Sequence, residues 1–373
     1  MMTESQNIDG LRKSARLWLK DNVPSQIKGL AKNNWLLGTR EIDAKNIGML
    51  REWQRKVYEA RMLGIGWPKE YGGWGGSSLE DLIVFEEFTQ ESVPWGGLGL
   101  GIPVVGPSLL ASGTEIQKKK YVKRILTAED LWSQGFSEPG AGSDLANIST
   151  AATDKGDYFE INGQKIWSSY AHLSDHSILL ARTGEDRYKG LTMFIIDPFP
   201  REGITVRPIM EITGRGEFNA IFFDKVRVPK SDIIGSVGDG WKVAMGVLNN
   251  ERLYTPFQSI SISEKALKSL QQKKLPVEDL AQDLMALRMF YLRLFEKIIK
   301  GKPVGSESAV LKIVSSELLQ RIYEFAVNSL PPEDLVNENW FQIYLASLSM
   351  TIGGGTSEIL RNVVGERLLG LPK

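Results

Sequence analysis

The residue pattern predicts an α+β chain in which an all-β block stands between two helical regions. Apolar residues recur at helical spacing through the first third. Short alternating segments broken by Gly and Pro fill the middle, and long amphipathic stretches resume after Gly240. The expected divisions are an N-terminal helical domain over 1–128, a middle β-sandwich or barrel domain over 129–236, and a C-terminal helical bundle over 237–373.

In the first region, Met49, Trp53, Val57 and Met62 of MLREWQRKVYEARML form one helical stripe with charges between them. SSLEDLIVFEEFTQES opens on cap-type serines and an acidic first turn, so it reads as a second helix. GIGWPKEYGGWGGSS, between the two, holds too much Gly and Pro for a regular element. EIQKKKYVKRILT at 115–127 is amphipathic. Its basic run reads as a solvated face, with a phosphate-binding patch as the lesser alternative.

The middle opens with STAATDKGDYFEING, two alternating runs joined across Lys155-Gly156 as a hairpin, and HSILLART, LTMFIIDP, GITVRPIM and NAIFFDKVRVP follow as short strands. The last region contains VEDLAQDLMALRMFYLRLFEKIIKG, ESAVLKIVSSELLQRIYEFAVNSL, ENWFQIYLASLSM and TSEILRNVVGERLLG. Their Leu, Met, Phe and Tyr stripes belong to a bundle core.

Composition narrows the chemistry. The 373 residues carry 45 Lys+Arg against 45 Asp+Glu, with no basic excess to attract a polyanion, so nucleic acid is not an expected partner. The absence of cysteine excludes disulfides, thiolate metal sites and thiol nucleophiles. His172 and His176 are the whole histidine complement, which leaves zinc sites and serine–histidine triads poorly supplied; no metal site is expected. The N-terminal residues lack an apolar signal core and no stretch approaches membrane-spanning length, so the expectation is an intracellular, cytoplasmic chain. The chemistry that remains uses carboxylates, hydroxyls and backbone amides, or is borrowed from a cofactor.

Three stretches are unusual for plain packing. From Trp132 to Asp144, a strand-like start runs into a loop offering Ser137, Ser143 and sterically free backbone N–H groups, able to approach a flat polar ring or a phosphate. Composition alone favours a Gly-Pro turn there. From Asn162 to Tyr170, Trp167 stands among Ser168 and Ser169, suited to laying an indole beside a planar ligand and equally to a core Trp on a strand. From Thr351 to Ile359, three glycines precede Thr-Ser-Glu at a helix start, as in an anion-binding turn, a pattern also common at ordinary helix entries.

Together QGFSEPGAGSDLA, INGQKIWSS and IGGGTSEILRNVVGERLLGLP resemble the signatures of the acyl-CoA dehydrogenase family, in the same order and spacing, and GWPKEYGGWGG and FFDKVRVPKSDIIG fit as well. The resemblance covers nearly the whole chain. It implies a helical domain, a β-domain and a C-terminal four-helix bundle, with FAD held at their junction. Carried over by position, it implies that Gln134, Phe136 and Ser137 line the flavin ring, that Trp167 flanks it, and that Ser168 and Ser169 bond its edge. Gly355, Thr356 and Glu358 fall where the family holds the FAD adenosine and pyrophosphate. Ser143 falls at the pantetheine or phosphate end of the thioester, and Arg252 is expected on the substrate side.

The family's reaction needs a carboxylate that removes the proton α to a thioester carbonyl while the β-hydride passes to flavin. Many members carry that carboxylate just before the Gly-Thr of the last motif, where this chain has Gly354. Members of the isovaleryl and long-chain types carry it in a Leu-x-x-Glu-Arg setting, which Leu248-Asn-Asn-Glu-Arg252 matches. The resemblance therefore implies Glu251 as the base, with the Gly354 backbone N–H still free to donate to the thioester carbonyl. The missing side chain at 354 suggests room for a branched or bulky acyl group.

Homotetrameric members also carry an Arg-x-Gln-Phe-Gly and a Gln-x-x-Gly-Gly segment with which a neighbouring subunit grips FAD. Here those stretches read SISISEKALKSLQQKKLPVEDL and FAVNSLPPEDLVNENW, and neither motif is present. This resembles the heteromeric subunits of actinobacterial steroid side-chain breakdown. It implies a heterotetramer with a related subunit, a homo-oligomer being the alternative. Lys268, Lys273 and Lys274 could compensate for the absent Arg, although a solvated loop is the simpler reading. The expected function is α,β-dehydrogenation of an acyl-CoA, with an electron-transfer flavoprotein as acceptor. The competing readings are a non-catalytic partner subunit and an oxidase-like relative that reacts reduced flavin with oxygen.

Overall fold

A computed structural model of the chain describes residues 4–32, 46–96, 99–300, 302 and 304–372. The first six helices are α1 (Glu4–Asn22), α2 (Ser25–Lys32), α3 (Ile47–Glu59), α4 (Ser78–Gln90), α5 (Gly106–Ser112) and α6 (Glu115–Leu126). The strands follow as β1 (Trp132–Gly135), β2 (Ala151–Asp154), β3 (Tyr158–Ser169), β4 (His176–Arg182), β5 (Leu191–Ile196), β6 (Ile204–Pro208), β7 (Phe218–Pro229) and β8 (Ile233–Ile234). Then come α7 (Gly240–Gln272), α8 (Glu278–Ile299), α9 (Glu307–Ser329), α10 (Pro332–Asn337), α11 (Trp340–Met350) and α12 (Ser357–Val363). Among the described residues no helix is long and apolar enough to cross a membrane.

The chain divides into two compact units. One comprises Met1–Glu41, Gly75–Trp95 and Glu251–Lys373, the other Ile42–Trp74 and Gly96–Asn250. The expected helix–sheet–helix order is present, and the compact units cut across it.

In the first unit α1 packs on α4, and α9 is flanked by α8, α11 and α12. Ser77 starts α4 with a capping box: its Oγ accepts from the Glu80 N–H at 3.3 Å and the Glu80 carboxylate accepts from the Ser77 N–H at 2.7 Å. The buried side of α9 runs through Leu311, Leu318, Leu319 and Ile322. Charge is buried here as a network, in which Arg12 pairs with Glu86 and Glu87, and Arg288 with Glu86 and Glu264.

In the second unit the strands form one mixed sheet in the order β6-β7-β3-β2-β4-β5-β8, with β1 pairing β4. The hairpin read across Lys155-Gly156 is the antiparallel β2–β3 pair, whereas β1 and β2 run parallel to β4. β5 approaches β7, so the sheet folds over a core of Phe159, Ile161, Phe194, Ile196, Ile221 and Phe223. α3 ends earlier than its apolar stripe suggested, because Arg61 takes φ of 59° and turns the chain out of the helix. Gly106 opens α5 beneath Trp67, where a Cβ would lie 2.0 Å from the indole, so glycine is required by close approach.

Candidate active site

The carboxylate site lies within the first unit, where α7 contributes residues from Glu251 onward. Helix α11 ends at Met350, and the glycine turn that follows puts Gly354 at φ 68° and Gly355 at φ 105°, the left-handed region that side chains avoid. Thr356 then caps α12, its Oγ1 accepting from the Ile359 N–H at 3.2 Å.

A Cβ built on Gly354 would lie 3.5 Å from Oε1 of Glu251 and 3.7 Å from its Cδ. The Glu251 carboxylate thus borders position 354 at ordinary contact distance, beside the space expected to admit a bulky acyl group. Two cations hold the turn. Arg252 Nε donates to the Gly354 carbonyl at 3.0 Å, and Lys312 Nζ donates to the Gly355 carbonyl at 2.7 Å. Oε2 of Glu251 is buried without a hydrogen-bond partner. Burial raises the Glu251 pKa above the ordinary carboxylate value, against the pull of Arg252 and Lys312. A partly protected carboxylate with raised proton affinity and an unused oxygen is equipped to take up a proton.

The second unit carries the other predicted residues. β1 leads through Gln134 and Gly135 into Phe136 and Ser137, and β3 runs beside this turn through Lys165. The Ile166 N–H donates to the Ser137 carbonyl at 2.9 Å, and Lys165 Nζ donates to the Phe136 carbonyl at 3.0 Å. Lys165 also meets Glu138 at 2.8 Å, and Glu138 accepts from the Ser149 N–H, the Ser149 hydroxyl and the Thr150 N–H.

Between Lys165 and Ser168 the β3–β7 register slips, and Trp167 adopts φ of 62° with 56% of its surface exposed. A bulge re-aims a side chain, and here it turns an indole outward beside Phe218. Gln134 Oε1 and Ser168 Oγ are buried without partners. An uncovered indole and unpartnered polar atoms in the same motifs fit the face and edge of a flat polar ring. Phe136 is buried, Ser137 and Ser169 are half-buried, and Ser143 is exposed.

Three charged residues were not anticipated. Lys312 is 2% exposed on α9 and Lys165 is 0% exposed on β3. Glu138 stood in the first motif without a role, and it is the buried partner of Lys165. A signal existed for Lys165: the alternation that buries Phe159 and Ile161 places position 165 inward too. Of the three lysines considered as compensating charge, Lys273 is engaged by Asp334 at 2.9 Å and Glu338 at 2.8 Å, so that charge is already neutralised.

Family models match the chain along its length: the acyl-CoA dehydrogenase N-terminal domain at 13–129, the middle domain at 133–226 and the C-terminal domain at 238–369. The acyl-CoA dehydrogenase IpdE1 of Mycobacterium tuberculosis is 34% identical, with 99% of each chain covered. The Tcur3481–Tcur3483 steroid acyl-CoA dehydrogenase superposes with a TM-score of 0.81 at 28% identity, covering 99% of this chain and 98% of that one. The ChsE4–ChsE5 complex of Mycobacterium tuberculosis gives a TM-score of 0.79 at 27% identity, covering 100% and 99%. Sequence, fold and motif order agree, and the chain belongs to the acyl-CoA dehydrogenase family of oxidoreductases.

Proposed function

We propose that this chain is the catalytic subunit of an FAD-dependent acyl-CoA dehydrogenase that converts an acyl-CoA thioester to its 2,3-enoyl-CoA, with Glu251 as the base. The observation that carries this reading is the meeting of positions 251 and 354, where a side chain on Gly354 would begin 3.5 Å from Oε1 of Glu251. The two positions from which family members present a base thus address one point, and here the carboxylate comes from Glu251. Its raised proton affinity suits abstraction of a weakly acidic α-proton. The Gly354 amide is the proposed donor to the thioester carbonyl, where negative charge develops.

Gln134, Phe136, Ser137, Trp167, Ser168 and Ser169 would hold the flavin ring. Gly355, Thr356 and Glu358 would serve its phosphate and adenosine end. Thr356 Oγ1 accepts from the Ile359 N–H in its cap, and its hydroxyl is also a hydrogen-bond partner of the Glu358 carboxylate. Bound FAD supplies the hydride acceptor. Ser143 and Arg252 would face the acyl-CoA.

A bulky, ring-bearing acyl group is the proposed substrate class, supported by the steroid enzyme among the relatives. The Tcur3481–Tcur3483 and ChsE4–ChsE5 structures, each of two components, support a heterotetramer with a related subunit, and an electron-transfer flavoprotein is the proposed acceptor. The neutralised Lys273 agrees with an FAD diphosphate left short of donors by this chain alone. The test is anaerobic mixing of the co-expressed holoenzyme with acyl-CoA thioesters. Flavin bleaching with an enoyl-CoA product two hydrogens lighter is expected; no bleaching across ring-bearing and short branched thioesters would overturn the proposal. Native mass and flavin stoichiometry, with and without the partner, test the assembly: a stable homotetramer with one tightly held FAD per chain would exclude it.

A further inference from the structure

Lys312 has no role in the resemblance, yet it is buried at the candidate base. A lysine removed from water loses hydration and needs a compensating acceptor. Lys312 is 2% exposed, and the acceptor it has found is a backbone carbonyl, that of Gly355 at 2.7 Å. The preceding carbonyl, of Gly354, is held by Arg252 at 3.0 Å. Successive carbonyls of one turn are therefore each fixed by a cation. Because a trans peptide directs its N–H opposite to its C=O, these contacts also set the Gly355 and Thr356 N–H groups facing away from the two cations. The Glu251 carboxylate stands against the Cβ position of Gly354 in the same turn.

We infer that Lys312 is a positioning residue of this site: its ammonium fixes the Gly355 carbonyl and supplies, with Arg252, the cationic charge that keeps Glu251 available as an anion. The inference rests on Glu251 being the base. Burial pushes Glu251 toward its protonated form, and the opposing pull comes from Arg252 on α7 and Lys312 on α9. The remaining charges act one step further out, Arg367 on Arg252, and Glu317 and Glu358 on Lys312. Burial lowers Lys312 itself to about 8, against the pull of Glu251, so the ammonium is present at neutral pH.

The experiment is an infrared pH titration of the full-length holoenzyme, following the carboxyl stretch that is present in wild type and absent in Glu251→Gln. It needs no turnover, so it is independent of whether the chain oxidises acyl-CoA. Lys312→Met keeps the aliphatic stem and removes the charge, and the Glu251 titration should move upward by about one pH unit, a tenfold change in protonation constant. Lys312→Arg keeps the charge and should leave the titration within a few tenths of a unit of wild type. An unmoved titration in Lys312→Met would overturn the inference and leave Lys312 a purely structural residue. If Lys312→Met fails to fold, Lys312→Gln decides, since it keeps a donor for the Gly355 carbonyl without the charge: a titration moved upward by about a unit supports the inference, and an unmoved one overturns it. Loss of bleaching activity with an unmoved titration also counts against it, because that is what a merely structural lysine would produce.

Discussion

Two glutamates in this chain, Glu138 buried and Glu251 half-buried, have cations for neighbours and pKa values shifted in opposite directions. Glu138 offers Oε1 to Lys165 and the Thr150 N–H, and Oε2 to the Ser149 N–H and hydroxyl, all between 2.7 and 2.8 Å. Burial presses its pKa upward, but Lys165 and these donors outweigh burial and hold it at about 2. Glu251 has Arg252 and Lys312 in its surroundings, where Arg252 Nε and Lys312 Nζ each donate to a glycine carbonyl, and its Oε2 has no partner. Burial wins there, and the pKa rises. A nearby cation lowers a carboxylate's proton affinity in both places, and donors aimed at its oxygens lower it further. The satisfied glutamate is held as an anion and braces a loop, and the one with an unpartnered oxygen has a raised proton affinity.

The contrast can be broken by substitution. Glu251→Gln keeps shape and removes the acceptor, so acyl-CoA-dependent bleaching should fall by ~10²–10⁴-fold while flavin stays bound; stopped-flow absorbance would read it, and near-normal bleaching would remove Glu251 from the reaction. Next in size, Lys165→Met strands the buried Glu138 anion and should cost about 3–5 kcal/mol in denaturant unfolding, whereas Lys165→Met/Glu138→Gln should recover part of that loss. A fully stable single variant would show that the pair is not the brace described here.

Acid sharpens the same comparison. Because the folded Glu138 pKa, about 2, lies below its ordinary value of 4.5, its contribution to stability is fully present above about pH 4.5 and is lost as pH falls toward 2. Glu138→Gln should flatten Tm against pH in that window, and an unchanged slope would contradict the assignment. The smallest effect is expected at Gly354→Ala. Its φ of 68° should cost about 1–2 kcal/mol, while the added methyl makes only ordinary contact with Glu251. Gly354→Glu would bring a second carboxylate beside the first and should not raise turnover of bulky substrates; a gain would show that a side chain at 354 does not obstruct the acyl group.

Much of the fold was legible because periodicity is local. The α4 start was readable from its serines and acidic turn, and the β2–β3 hairpin from Lys155-Gly156. The end of α3 was not, since its stripe continues to Met62 and the stop is a backbone conformation at Arg61 that no residue type there demands. The motif residues were legible as candidates, but Lys165 was passed over as part of a motif, and Lys312 was hidden in a helix otherwise read as core.

By itself the sequence determined the order of helical and β regions, the exclusion of thiol chemistry, the family motifs, and the presence of glycine at 354 and glutamate at 251. Each follows from residue identity and near-neighbour spacing. Only the tertiary structure decided that Arg252 reaches the Gly354 carbonyl 102 positions away, that Glu251 comes to contact distance of position 354, and that Lys273 is already neutralised by Asp334 and Glu338. It also separated two chemically identical carboxylates into an anchored anion and an exchangeable one. The reason is physical: hydrogen-bond satisfaction and burial depend on what distant segments bring to the same few ångströms, and no local pattern encodes that.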